Sequence, residues 1–167
     1  MLSNSLSEKV LGRGKGFDGQ IRVVFYEPYP MGLGGNFITQ KLLLERIDFK
    51  KFYPIVLAPS DGAALDHFRK MGVECVVVPP PVSLNRYGGK VLKERLLVRL
   101  KSAFDLVSYN IKLARSLRQH SIALVYTNGV RAQLSIGLGA RLANIPTLLY
   151  VKGELNNPVI DRLSFVL

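Results

Sequence analysis

The chain has 167 residues, of which 48% are hydrophobic and 21% are charged, as is typical of one soluble globular domain. It contains no apolar run near the roughly 18 to 20 residues that cross a bilayer, and its single cysteine, Cys75, excludes a disulfide framework and favours a reducing cytoplasm. Lys and Arg number 23 against 12 Asp and Glu, so the net charge is +11. Such an excess favours an anionic partner: nucleic acid, an acidic membrane surface or a phosphorylated ligand.

The first 20 residues differ in composition from the rest of the chain. They are polar and rich in glycine, and Glu8 and Lys9 stand where a secretory signal would have its apolar core. We therefore expect residues 1–20 to form a disordered tail and residues 21–167 to form one domain.

Short apolar runs alternate with helical patterns along that domain. The runs predict five buried strands, at residues 21–26, 54–58, 73–78, 122–126 and 146–151. The helical patterns predict four helices, at residues 36–47, 61–70, 90–119 and 131–143, and Asp61 is a favoured N-cap residue for the second. This alternation predicts an α/β fold, a doubly wound parallel sheet of the Rossmann-like kind. In the usual strand order 3-2-1-4-5 the ligand crevice lies between strands one and four, where the loops 27–36 and 127–131 would meet.

The long third helix carries most of the excess charge. Between Arg86 and Arg118 there are nine basic and two acidic residues. Apolar residues at helical spacing predict a core-facing stripe, which consists of Leu92, Leu96, Leu100, Ala103, Val107, Ile111 and Ala114. Lys90, Lys101 and Lys112 are eleven residues apart, so they share a different, solvent-directed face. We expect these lysines to face an anionic membrane surface, with a solvated helix that merely covers the core as the alternative.

The first loop is rich in glycine and ends at the start of a helix. It reads Met31-Gly32-Leu33-Gly34-Gly35-Asn36. Glycines let the backbone approach a phosphate or a sugar, and a helix N-terminus offers N–H groups and partial positive charge. The alternative is a tight turn in which Asn36 is a structural N-cap. A dinucleotide fingerprint is disfavoured, because it would need a small residue where Phe37 stands.

Three segments in this order resemble the N-terminal domain of family 4 glycosyltransferases. They are strand one with its Gly-Gly loop, Leu124-Val125-Tyr126-Thr127-Asn128, and Ile145-Pro146-Thr147-Leu148-Leu149-Tyr150. The resemblance covers about residues 21–167 and implies the N-terminal half of a GT-B fold, which binds the acceptor, while an absent C-terminal domain binds most of the nucleotide-sugar donor. It also implies that the Gly-Gly loop approaches the donor diphosphate. The candidate binding residues are thus Gly34, Gly35, Asn36 and Asn128.

The chain departs from that family at two points. Members often have a His just after strand five, where this chain has Lys152. A lysine can stabilise developing negative charge there, and Glu154 is the alternative general base; a surface Lys and Glu without catalytic role is the other reading. The donor-binding E-x7-E element is absent from residues 1–167, which fits a missing C-terminal domain.

These observations predict a cytoplasmic glycosyltransferase domain, peripheral at the inner face of the membrane, that is inactive without its second half. Its partners would be a nucleotide sugar, which is a substrate and not a cofactor, and a glycan or lipid-linked acceptor. No residues have metal-ligand spacing, so no metal is expected. The alternative is a non-enzymatic basic module that binds nucleic acid or a partner protein. It is disfavoured because the chain has no nucleic-acid motif and no aromatics interleaved with its basic residues.

Overall fold

The computed structural model describes residues 19–82 and 96–151, without the side chains of residues 96–100 and 102. Most of the predicted tail, residues 1–18, therefore lies outside the described residues. The described strands are β1 (Ile21–Tyr26), β2 (Phe52–Ala58), β3 (Glu74–Val77), β4 (Leu124–Asn128) and β5 (Thr147–Tyr150). The described α-helices are α1 (Gly35–Leu44), α2 (Ala63–Lys70), α3 (Leu96–Gln119) and α4 (Val130–Ala143).

The five strands form one parallel sheet in the order β3-β2-β1-β4-β5. β1 is central, since Val24 pairs with Ile55 of β2 on one side and with Val125 of β4 on the other. The predicted doubly wound α/β fold and its strand order are confirmed. The point at which the strand order reverses lies between β1 and β4, where such sheets place their ligands.

Helices cover both faces of the sheet and create two cores. Val24 and Tyr26 of β1 belong to the core under α3 and α4, whereas Val23 and Phe25 belong to the core under α1 and α2. Successive side chains of a strand point to opposite faces. Because both faces of β1 are covered, its buried residues 23–26 are all apolar and do not alternate with polar residues.

The face of α3 that packs against the core differs from the predicted one. The sequence predicts that Ala103, Val107 and Ile111 are buried, and this prediction is wrong, because all three side chains are exposed. The buried side chains of α3 among those described are Tyr109, Asn110, Leu113, Ala114 and Leu117. Only Ala114 of the predicted stripe is confirmed as buried.

The length of α3 explains this difference. Its 24 residues span about 36 Å, whereas the strands have four to seven residues and span about 13 to 23 Å. The hydroxyl of Tyr109 donates to the carbonyl of Val78, just beyond the end of β3. α3 runs back from that edge toward the start of β4, so the residues before Tyr109 project past the carboxyl edge of the sheet.

The first turn of α2 also differs from the prediction. α2 begins at Ala63 with Gly62 as its N-cap residue, and no described side chain caps it. Asp61 instead accepts the N–H of Gly62 at 3.0 Å and binds Arg69 through both carboxylate oxygens, at 2.8 and 3.1 Å. The hydrogen bond from Arg69 lowers the pKa of Asp61. The N-cap prediction for Asp61 is therefore wrong, because its carboxylate is engaged by a side chain farther along the helix.

Candidate functional site

The loops after β1 and β4 meet at the carboxyl edge of the sheet, as the strand order predicts. Nδ2 of Asn128, the last residue of β4, donates to the main-chain oxygen of Asn36 at 3.2 Å. The guanidinium of Arg131 lies over the ring of Tyr29, 4.9 Å from its centroid. These contacts join residues 27–36 to residues 127–131, and we call the region between them the β1–β4 crevice.

A buried carboxylate organises the first of these loops. Glu27 follows β1 directly and is fully buried; its Oε1 accepts the N–H of Tyr29 and its Oε2 accepts Nδ2 of Asn36, both at 2.8 Å. Burial of a carboxylate is costly unless hydrogen bonds compensate it, so these two bonds define the course of the loop. The side chain of Asn36 bonds Glu27 and does not cap α1, whose N-cap residue is Gly34. The alternative interpretation of Asn36 as an N-cap is therefore wrong.

Sequence reasoning did not identify Glu27. The available signal was an acidic residue placed immediately after the four apolar residues 23–26. An acid in that position must either reach solvent or find donors in the following loop, and here it finds them.

The glycine pair at the start of α1 has no structural explanation within the described residues. Gly34 has φ −77°, and neither Gly34 nor Gly35 is among the described residues with positive φ. A Cβ added at either position would meet no described heavy atom within 4 Å. Neither backbone conformation nor packing in the described part of the chain therefore requires glycine at these two positions.

Two helix N-termini point into the crevice. α1 begins after Gly34, and α4 begins after Gly129, whose φ of +94° favours glycine. No described side chain caps either helix, and neither has an acidic residue in its first turn. The N-terminus of a helix carries partial positive charge, so the crevice suits an anionic ligand.

Buried polar groups lie under the crevice on the β4 side. Oγ1 of Thr127 donates to Oε1 of Gln133 at 2.8 Å, and Nε2 of Gln133 donates to Oγ1 of Thr147 at 3.1 Å. This chain of bonds ties β4, α4 and β5 together. Next to it, Oδ1 of buried Asn128 has no hydrogen-bond partner among the described residues, so Asn128 retains acceptor capacity at the predicted site.

A pocket of about 660 Å³ opens beside the crevice, over the ends of β1, β2 and β3. Most of its described walls are prolines and tyrosines, and one basic side chain contributes. The described lining residues are Tyr26, Pro28, Tyr29, Pro30, Met31, Gly32, Pro59, Ser60, Pro79, Pro80, Tyr109, Arg131 and Ser135. The sequence did not predict this pocket, because its described lining residues come from five separate segments of the chain.

The projecting part of α3 forms an apolar and basic surface. Lys101 and Lys112 are exposed, as predicted. Phe104 is 73% exposed, and Val107 and Ile111 are exposed beside it. Among the described helices none is both long and apolar enough to span a membrane.

Three predicted site residues, Lys90, Lys152 and Glu154, lie outside the described residues. The contribution of Lys152 and Glu154 to catalysis therefore stays a prediction. Within residues 19–82 and 96–151, no group of three or more His, Cys, Asp and Glu side chains is arranged to hold a metal ion.

The fold has a counterpart among solved structures. MurG of Acinetobacter baumannii, a GT-B glycosyltransferase, matches with a TM-score of 0.61 and 17% sequence identity over 88% of this chain and 39% of the MurG chain. The C-terminal domain of a hydrogenase from Pyrococcus furiosus matches with a TM-score of 0.46 and 16% identity, over 78% of this chain and 91% of that domain. No protein-family model and no curated protein sequence matches the chain. The chain thus has a Rossmann-like α/β fold similar to that of the GT-B glycosyltransferase MurG, and it spans about two fifths of the MurG chain.

Proposed function

We propose that this chain is the acceptor-side half of a glycosyltransferase that moves a sugar from a nucleotide sugar to a glycan or lipid-linked acceptor. In this proposal a second Rossmann-like domain supplies most of the donor site. The similarity to MurG over most of this chain supports a GT-B type of fold, and the sequence resemblance to family 4 supplies the finer assignment.

The glycine pair carries the proposal. Side chains at Gly34 and Gly35 would meet no described atom, so no atom of residues 19–82 or 96–151 would hinder a ligand above the first turn of α1. The N-terminus of the helix, which no described side chain caps, favours negative charge there. A donor diphosphate, which departs with negative charge as the sugar passes through an oxocarbenium-like centre, has the chemistry that this turn would stabilise.

Lys152 and Glu154 complete the proposed chemistry. Lys152 would stabilise the charge that develops on the departing diphosphate, and Glu154 would accept the proton of the acceptor hydroxyl. The nucleotide sugar enters as a substrate, so the reaction needs no resident cofactor.

The test of the donor role is Gly35→Val in the protein that includes the second domain. Valine at the first position of α1 would block the approach of the diphosphate, and its helix propensity is no worse than that of the glycine it replaces. We expect a large loss of kcat/KM for the nucleotide sugar and a melting temperature close to that of the wild type. An unchanged kcat/KM together with a lowered melting temperature would assign the glycine to folding alone.

The proposal also predicts how residues 1–167 behave by themselves. The five-stranded core is complete within the described residues, so we expect a cooperative thermal melt. Donor-binding chemistry belongs to the other domain, so we expect no sugar transfer from any nucleotide sugar. Measurable transfer by residues 1–167 would refute the two-domain arrangement.

Membrane contact through α3 is the second part of the proposal, and it implies a cytoplasmic enzyme peripheral to the inner membrane face. Lys101 and Lys112 would bind anionic headgroups, and the exposed Phe104 and Val107 would enter the interface beside them. Basic residues close to an acidic leaflet contribute about 1 kcal/mol each. The sequence alone favours a mainly electrostatic contact, to which these exposed apolar side chains add a hydrophobic part.

Vesicle sedimentation tests that contact. We expect Lys101→Glu combined with Lys112→Glu to weaken binding to anionic vesicles by roughly thirtyfold or more, which corresponds to the loss of two such contributions. The matched control is Lys50→Glu with Lys70→Glu, which makes the same charge change at exposed positions away from α3. Equal loss in both variants would indicate a nonspecific effect of net charge, and failure of the wild type to bind would exclude membrane contact.

The net charge of +11 keeps one rival function open, a basic module that binds nucleic acid. Its affinity for single-stranded and duplex oligonucleotides would fall steeply as salt rises. Tight, salt-dependent binding to an oligonucleotide, together with no transfer activity in the longer protein, would favour the rival.

A further inference from the structure

The outer side of α1 is apolar although it faces solvent. Ile38, Leu42 and Leu43 are 50%, 49% and 40% exposed, and Lys41 is the only charged residue in the helix. The residues that α1 buries on its other side are Phe37, Gln40 and Leu44. A surface helix normally has charged residues on its solvent side, whereas a helix that is apolar on most sides is typical of a buried position. The outer side of α1 is therefore suited to contact with another surface.

The spacing of these residues makes the exposed apolar surface continuous. Ile38 and Leu42 are four residues apart, so they lie on the same side of the helix one turn from each other. Leu43 follows directly and widens the patch. Single exposed apolar side chains are ordinary at protein surfaces, but a group on adjacent turns of one helix marks a site of contact with protein or lipid.

The distribution of charge favours contact with protein on this side of the sheet. Residues 35–70, which include α1 and α2, contain six basic and four acidic residues, whereas residues 101–141, in α3 and α4 and the strand between them, contain six basic and one acidic. An acidic lipid surface would attract the more basic side. The ion pairs of the first segment largely neutralise it; they are Lys41–Glu45, Lys51–Asp48, Arg69–Asp61 and Arg69–Asp66.

The same distribution suits a second copy of this chain as the partner. α1 and α2 cover one face of the sheet, and α3 and α4 cover the other. Two copies that meet through α1 would direct their more basic sides away from each other, so the net charge of +11 would oppose association only weakly.

One ion pair also has the order that a two-fold axis requires. Lys41 and Glu45 are four residues apart and lie on the same flank of α1, beside Leu42 and Leu43. A two-fold axis at these leucines makes the two helices antiparallel and reverses the order of the pair, so each lysine would lie opposite the glutamate of the other copy. Apolar residues would then form the centre of the contact and unlike charges its rim, as in stable protein interfaces.

We propose that this chain forms a two-fold dimer in which the outer sides of the two α1 helices pack antiparallel to each other. The proposal does not depend on the glycosyltransferase function. It leaves α3 and α4 exposed on the far side of each copy.

Sedimentation equilibrium of residues 1–167 tests the dimer. We expect the mean mass to rise from that of one chain, 18.6 kDa, toward twice this value as the concentration is raised from about 1 to 200 µM, the range in which a dimer with a micromolar Kd forms. Leu42→Glu places a charge at the apolar centre and should weaken the dimer about tenfold or more. Because Leu42 is half exposed in the single chain, the melting temperature of this variant in dilute solution should stay close to that of the wild type.

The matched control is Leu106→Glu, which makes the same change at a residue of α3 that is 46% exposed. We expect this variant to dimerise like the wild type. Equal dimerisation of the two variants, or a wild type that stays monomeric over the whole concentration range, would overturn the proposal.

Exchange of the charged pair tests the antiparallel arrangement. Lys41→Glu alone and Glu45→Lys alone each bring like charges together at both ends of the contact, and each should weaken the dimer about threefold or more, as expected for exposed ion pairs. The double variant Lys41→Glu with Glu45→Lys restores unlike charges opposite each other and should recover most of the wild-type affinity. Dimerisation of the double variant that is as weak as that of the two single variants would refute the antiparallel contact.

Discussion

Gly62 provides a sharp test of how the pocket wall is held. A Cβ at Gly62 would lie 2.5 Å from the main-chain oxygen of Pro30, 2.7 Å from its carbonyl carbon and 2.9 Å from Sδ of Met31. The backbone of Gly62 is extended, so any residue could adopt its conformation, and the close approach alone requires glycine. The same Pro30 oxygen accepts the N–H of Ala64 at 2.9 Å, which clamps the pocket loop to the first turn of α2.

Gly62→Ala should therefore separate that loop from α2. The two closest atoms belong to the backbone of Pro30, which cannot rotate aside as a flexible side chain would. Overpacking of this kind costs about 1 to 3 kcal/mol, and loss of the hydrogen bond to Ala64 adds about 1 kcal/mol. In a chain of this size each kcal/mol shifts the melting temperature by about 2 to 4 °C, so we expect a decrease of about 5 to 15 °C.

Thermal unfolding followed by circular dichroism measures this effect. The matched control is Gly35→Ala, because a Cβ at Gly35 meets no described atom and alanine has the better helix propensity. We expect Gly35→Ala to melt at or slightly above the wild-type temperature. If Gly62→Ala melts within a degree or two of the wild type, the clamp between Pro30 and α2 does not contribute to stability and our reasoning about the loop fails.

Two further predictions concern buried groups. Glu27→Ala removes the acceptor of the Tyr29 N–H and of the Asn36 side chain. We expect the free energy of unfolding, measured by urea denaturation, to fall by about 2 to 4 kcal/mol. A loss below about 0.5 kcal/mol, as at an ordinary surface site, would contradict the role of Glu27 in holding the loop. Burial raises the pKa of the Cys75 thiol to about 11, so reaction with a thiol reagent should be slow at pH 8 in the folded chain and fast in urea. Because the thiol ionises at lower pH in the unfolded chain than in the folded chain, the contribution of Cys75 to stability is present below pH 9 and is lost as pH rises through about 11. Fast modification of the folded chain at pH 8 would contradict the burial of the thiol.

The sheet could be predicted because a strand that is buried on both faces consists mostly of consecutive apolar residues, which are visible in the sequence. β1 and β4 are apolar runs bounded by turn residues, and the helices between strands set the parallel arrangement. α3 marks the limit of this reasoning. Its apolar residues occur on more than one face, and helical periodicity alone does not distinguish the stripe of Tyr109, Leu113 and Leu117 from that of Ala103, Val107 and Ile111. The extent of the sheet beneath the helix decides between them, and that extent is a property of the whole fold.

The position of the candidate site could be predicted from the sequence, but the contacts within it could not. Strand order brings the loops after β1 and β4 together, so Gly34, Gly35, Asn36 and Asn128 could be placed at one edge in advance. The bonds of Glu27 depend on how the intervening loop returns to it, and the pocket depends on the ends of three strands and two helices. Contacts between segments so far apart in the chain have no counterpart in local sequence patterns.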